Sequence, residues 1–159
     1  DALTIYHHPV NRFVAGFLGN PPMNFLEGRL TADAGGLRFT AGEDQLAVPD
    51  WAQGPLAERV GEQVVLGVRP EGLGLASPAE GTRTDTLAMR VTLVQPLGDR
   101  MNIHLATDDH PRLVAQIDTA RRVAVGEQVP VRFDPRRLHF FAPGPDGPNL
   151  AANPNFLGS

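Results

Sequence analysis

The sequence predicts an almost all-β fold: two small, related barrels of short antiparallel strands behind one short N-terminal helix. Three observations carry this. From Met23 onward apolar residues recur with period two, the spacing of half-buried strands. The 159 residues include 17 Gly and 15 Pro, too many breakers for a helical bundle and enough for many hairpins. The run Val60-Gly61-Glu62-Gln63-Val64 returns as Val125-Gly126-Glu127-Gln128-Val129, which marks an internal repeat.

Taken in order, Asn11 to Leu18 reads as the helix. Phe13, Val14, Phe17 and Leu18 share one helical face, Pro9 precedes its start, and Gly19 with Pro21 and Pro22 stops it. Two Phe on so short a helix need a surface to pack on. Leu26, Gly28 and Leu30 then alternate with Glu27 and Arg29, Gly35-Gly36 turns the chain, and Leu37 and Phe39 follow. Leu46 and Val48 come after a turn from Ala41 to Asp44, giving three hairpin-linked strands. Pro55 to Val60 fits a helical turn. Val64 to Val68 is a continuous apolar strand that bends at Arg69-Pro70 and resumes through Leu73 and Leu75.

Ser77 to Thr86 is polar and turn-rich, the best internal boundary. Met89, Val91 and Leu93 form the next strand. Gly98-Asp99 turns it into another through Met101, Ile103 and Leu105, and Asp108-Asp109 is a hairpin loop. Leu113 to Ile117, Val129 to Phe133 and Leu138 to Phe141 bring the count to about ten strands. Residues 143–159 hold four Pro, three Gly and three Asn, the composition of a mobile tail.

The repeat extends beyond its pentapeptide. The same offset maps Pro70 onto Pro135, Leu73 onto Leu138 and Leu75 onto Phe140. The shared unit is turn, strand, bend and strand: Gly61 and Gly126 permit a tight turn, and the prolines set the bend. Two OB-like or MOP-like small barrels accommodate such a unit and leave few exposed sheet edges.

Composition removes whole classes of chemistry. The net charge is −4 and aromatics are 6% of residues, which argues against a nucleic-acid partner, since that needs a basic groove with exposed rings. Without Cys there are no disulfides, thiolate metal ligands or thiol nucleophiles. All 14 basic residues are Arg, so a phosphate-loop lysine is missing. Ser77 and Ser159 are the only serines, which disfavours a Ser-His-Asp site. His7, His8 and His110 find no convincingly spaced third ligand and read as surface histidines; no metal site is expected. Arg121-Arg122 and Arg136-Arg137 read as a solvated face, with an oxyanion or acidic-partner site as the minority reading.

Three ordered motifs carry a resemblance. Tyr6 to Leu26, YHHPVNRFVAGFLGNPPMNFL, resembles the junction segment of ATP-binding subunits of ABC sugar importers of the maltose and glycerol-3-phosphate type. Leu66-Gly67-Val68-Arg69-Pro70-Glu71 resembles that family's "GIRPE" strand. Val94 to Asp99 with Ile103-His104-Leu105 resembles its "VEPLG…VHL" hairpin. The resemblance spans about residues 1–142.

It implies that residues 1–22 are the end of a nucleotide-binding domain and its linker helix. Residues 23–142 would be a regulatory TOBE domain of two OB-like halves, and 143–159 a flexible tail. No catalysis is expected in this stretch, and no cofactor: ATP and Mg2+ would belong to a nucleotide-binding domain elsewhere. The implied partners are a second copy, that nucleotide-binding domain, the importer's membrane subunits and an inhibitory protein. The implied location is the cytoplasmic face of the inner membrane. Phe13, Phe17, Phe25, Gly98 and Asp99 are the expected contact residues, while Arg69-Pro70-Glu71 reads as structural, with Arg and Glu pairing or capping. The alternative is a small-ligand or oxyanion sensor on the same barrels. A related branch that binds molybdate-like oxyanions carries Ser-Ala-Arg-Asn where this chain has Pro21-Pro22-Met23-Asn24, so only the Asn is retained.

Overall fold

Ten strands form where the alternation places them. The computed structural model describes residues 2–77, 84–110 and 112–156. The strands are β1 (Asn24–Asp33), β2 (Gly36–Ala41), β3 (Asp44–Ala47), β4 (Gln63–Val68), β5 (Leu73–Leu75), β6 (Thr86–Leu97), β7 (Arg100–Ala106), β8 (Leu113–Asp118), β9 (Gln128–Phe133) and β10 (Leu138–Phe141). They build two five-stranded sheets, ordered β10-β4-β1-β2-β3 and β5-β9-β6-β7-β8. All pairings are antiparallel.

The two orders are one order written twice. β1 to β3 correspond to β6 to β8, β4 to β9, and β5 and β10 exchange places. Leu66 in β4 lies between Leu26 and Phe140. Its repeat-mate Val131 in β9 lies between Leu87 and Leu75. Gly61 and Gly126 each have φ +90°, a conformation that costs a residue with a Cβ. Each donates its N–H at 2.8 Å to the first hairpin of its half, Gly61 to Leu30 and Gly126 to Val91. A 3-10 turn follows each repeated strand, at Pro70–Gly72 and Pro135–Arg137. Proline suits such a start, where its missing N–H would find no partner. The turn throws the chain out of its own sheet, so each half ends as the edge strand of the other.

One apolar core therefore joins both sheets. Leu26, Leu66 and Phe140 from the first meet Ile103, Val131 and Phe133 from the second in a single cluster, all 1% exposed or less.

The helical segments differ from expectation in two places. α1 (Ala2–His7) has no buried residue, so no apolar periodicity announces it. α2 (Arg12–Phe17) begins as expected after Asn11, whose Oδ1 accepts from Val14 N at 2.9 Å as the N-cap. α3 (Asp50–Leu56) starts ahead of the expected turn at Pro55, and a 3-10 turn, Ala57–Arg59, continues it. The cause is tertiary. Gln53 accepts from Leu37 N at 3.0 Å and donates to Val48 O at 2.7 Å, and Ala52 and Leu56 are buried.

The segment expected to be a mobile tail is packed over its described part, residues 143–156. Ala151 and Asn153 are buried. Asn153 Nδ2 donates to both Arg136 O and Leu138 O at 3.0 Å, and Phe156 stacks on His139 at 5.4 Å. Asparagine, a loop former by composition, acts here as a strap anchor. The central part of the expected Ser77–Thr86 boundary lies outside the described residues.

Candidate functional site

α2 is only six residues long, so its position comes from clamps. Arg12 N donates to Gly147 O at 2.9 Å, and the Arg12 guanidinium sits 4.9 Å over the Phe25 ring and 3.6 Å from Glu27. Behind the helix Arg69 is 4% exposed. It donates to Ala15 O at 3.0 Å, to Leu18 O and to Tyr6 O at 3.2 Å. Its guanidinium also lies 4.0 Å over the Tyr6 ring, a cation–π contact. Tyr6 Oη in turn donates to Glu71 Oε1. Arg69 and Glu71 thus act on the same tyrosine, where the sequence suggested that they pair or cap. Burial first, then the hydrogen bond to Glu71, push the Tyr6 pKa up to about 12. Burial lowers that of Arg69, which the Glu71 charge opposes. Tyr6 is therefore a neutral donor and Arg69 a cation in a rigid knot beneath α2.

The expected apolar face of α2 is split by this docking. Val14 and Leu18 are half-buried and Ala15 is fully buried. Phe13 and Phe17 are 61% and 77% exposed, with their rings stacked at 6.2 Å. Phe25 is half-buried against Phe141, with ring centroids 6.0 Å apart. Phe13, Gly16 and Phe25 line a groove of about 530 Å³ with Gly144 and Pro145. The structure therefore brings three of the five expected contact residues, Phe13, Phe17 and Phe25, to one surface.

Gly98 and Asp99 form the tip of a different element, the β6–β7 hairpin. Gly98 has φ +82°, and Asp99 O accepts from Thr119 N and Thr119 Oγ1. A register shift between Val91 and Leu93 breaks the strand's alternation. Beyond it no residue from Thr92 to Arg100 is buried, so this stretch of β6 is exposed while Met101 and Ile103 on the paired β7 stay in the core. Leu93 and Leu97 are 43% and 55% exposed there. Sequence reasoning missed these two leucines, because an alternating strand gives no sign of where a neighbouring strand ends: β9 pairs with β6 only as far as Arg90.

Among the described residues, no group of three His, Asp or Glu side chains is arranged to hold a metal ion. His110 is tied to Thr107 and approaches Glu27 O at 3.3 Å, and His104 contacts Gln95 at 2.9 Å. Arg136 and Arg137 both pair with Asp134. Asn24 spends its amide on main chain: Nδ2 donates to Val68 O and Val114 O, and Oδ1 accepts from Val114 N. It stitches β1 to β8. No described helix is long and apolar enough to cross a membrane.

Comparison with known proteins matches two overlapping family profiles. Residues 19–73 match the MalK OB fold domain, and residues 66–141 match the TOBE domain. YurJ of Bacillus subtilis, described as an uncharacterized ABC transporter ATP-binding protein, is 32% identical over 86% of this chain and 38% of its own length. The sn-glycerol-3-phosphate import ATP-binding protein UgpC 1 of Rhizobium johnstonii is 35% identical over 87% of this chain and 35% of its own. The maltose/maltodextrin import ATP-binding protein MalK of Mannheimia succiniciproducens is 33% identical over 87% and 37%. The chain thus spans well under half the length of these relatives. A crystal structure of the cytoplasmic molybdate-binding protein ModG, with molybdate bound, superposes with a TM-score of 0.61. It is 16% identical and covers 76% of this chain and 96% of ModG, a likeness of fold.

Proposed function

Because this chain belongs to the TOBE and MalK-type OB-fold domains carried by ATP-binding subunits of ABC sugar importers, we propose that it is the regulatory and dimerisation part of such a subunit. The observation that carries this reading is the ordered match of the two profiles along residues 19–141. A densely packed barrel pair that still presents exposed apolar side chains at the β6–β7 hairpin and on α2 supports it.

In this reading two copies stay in contact while the nucleotide-binding domains open and close, and the contact is a fixed hinge point. The chain itself performs no catalysis and holds no cofactor; ATP and Mg2+ bind in the nucleotide-binding domain. The other partners are the membrane subunits and an inhibitory protein, on the cytoplasmic face of the inner membrane. An inhibitor would act only through higher affinity for the open arrangement. Commitment of the Asn24 amide to Val68 and Val114 weighs against the oxyanion-sensor alternative.

Sedimentation equilibrium over a concentration series tests the proposal. The expected result is a reversible dimer weakened about tenfold or more by Leu97→Asp, the loss of about 1.4 kcal/mol. Phe13→Ala and Phe17→Ala report whether α2 shares the contact. A monomer at every concentration overturns self-association. A melting temperature raised by molybdate or sulfate would restore the sensor reading.

A further inference from the structure

We propose that the cleft between α3 and the 3-10 turn at Pro135–Arg137 binds a pyranose ring of a neutral saccharide, with Trp51 as the stacking platform. The cleft is open to solvent on one side and has a volume of about 720 Å³, within the roughly 300–1,000 Å³ range of small-molecule sites. Val48, Pro49, Asp50, Trp51, Arg136 and Asn155 line it. A pyranose has an apolar C–H face and an equatorial rim of hydroxyls. An indole suits the first. The carboxylate, guanidinium and amide of Asp50, Arg136 and Asn155 offer both acceptors and donors to the second. Two carboxylates, Asp50 and Asp85, line the cleft against one guanidinium, Arg136, and Asp85 and Arg136 are already paired with Arg132 and Asp134, which disfavours an anionic ligand.

The walls are held by bonds that need no ligand. Trp51 Nε1 donates to Pro135 O at 2.9 Å, and its ring packs 6.1 Å from Phe140. Gln53 pins α3 to Leu37 and Val48. Asn153 holds Arg136 O, and its own Oδ1 accepts from Asn155 N and Nδ2 at 2.9 Å. Asp50 and Arg136 are exposed, and Arg136 is steadied by Asp134 at 3.3 Å. Such prior fixation lowers the ordering cost of binding.

The duplicated barrel does not require this cleft. The connection from β8 to β9, which corresponds to the one holding α3, contains no helix. The cleft, built where α3 of the first half meets the Pro135–Arg137 turn of the second, therefore has no equivalent at the matching place in the repeat, and it contains the single Trp of the sequence.

That single Trp makes the test direct, because fluorescence excited at the red edge of the absorption band, where Tyr6 does not absorb, reads Trp51 alone. Titration with maltose and with trehalose is expected to give a saturating change for at least one. Asp50→Asn and Arg136→Gln should each weaken its midpoint about tenfold or more, with unchanged circular dichroism. Trp51→Phe should abolish the binding heat measured by calorimetry; should that variant fail to fold, the two polar variants decide. A linear, unsaturated response to both sugars overturns the proposal. So does a saturating one indifferent to Asp50→Asn and Arg136→Gln, or an equal response to sodium sulfate. The measurement is made at concentrations where the chain is monomeric, so its outcome is independent of self-association.

Discussion

Arg69 shows how one buried cation organises a surface. It satisfies three carbonyls of the N-terminal segment and covers the Tyr6 ring, so α2 is fixed although too short to be stable alone. Arg69→Met leaves those carbonyls unpaired. It should cost about 2–4 kcal/mol in chemical denaturation, whereas Glu71→Gln, which keeps an acceptor for Tyr6, should cost less than half as much. His139 is the acid-sensitive residue. It is 2% exposed between Phe141 and Phe156. Burial first, then the Arg69, His8 and His7 charges, hold its pKa down to about 3 from the ordinary 6.5. Between those values the unfolded chain binds a proton that the folded chain refuses. The stabilisation is whole above pH 6.5 and is lost as pH falls toward 3, at about 1.4 kcal/mol per pH unit. His139→Phe keeps the ring stack and should flatten melting temperature against pH in that window. Equal slopes in the two proteins would refute this.

Two turns of identical role, one in each half, make the duplication measurable at the scale of elements. Gly61 and Gly126 share φ +90°, and a Cβ at either would meet no atom within 4 Å. The cost of Gly61→Ala and of Gly126→Ala is therefore backbone strain alone, about 1–2 kcal/mol each. Denaturation midpoints should show the two costs agreeing within a few tenths of a kcal/mol; a large inequality would mean that the turns are not equivalent. The β6–β7 hairpin shows the opposite behaviour. Its first-half counterpart, β1–β2, keeps Leu30, Leu37 and Phe39 buried, while Leu93 and Leu97 emerge into solvent past the register shift. The same hairpin unit is core on both strands in one half, whereas in the other β7 keeps Met101 and Ile103 in the core and the end of β6 is exposed.

Strand exchange makes the halves one cooperative unit in the whole molecule. β5 lies against β9, β10 lies against β4, and a single core runs through both sheets. Calorimetry should show one unfolding transition. Leu66→Ala in the first sheet should lower it by about 2–5 kcal/mol without splitting it, and Val131→Ala in the second should shift the same peak. Two resolved transitions would show that the halves fold separately.

Strand positions, hairpin turns and the repeat were legible in the sequence because they rest on local periodicity and turn chemistry. Leu37-Arg38-Phe39-Thr40 alternates whatever its neighbours are, and Gly61 and Gly126 declare a turn by lacking a side chain. The motifs from Tyr6 to Leu105 carried the family as well. Where those elements lie in space was decided by contacts between residues far apart in the chain. Nothing local tells that β5 and β10 change sheets, that Arg69 reaches back to Ala15 and Tyr6, or that Asn153 straps residues 143–156 to the barrel. Nor does composition announce that Trp51 and Arg136 share a cleft. Phe13 and Phe17 show the limit most plainly: their spacing predicts an apolar helical face with Val14 and Leu18, but only the docking of α2 through Ala15 decides that its two Phe point to solvent.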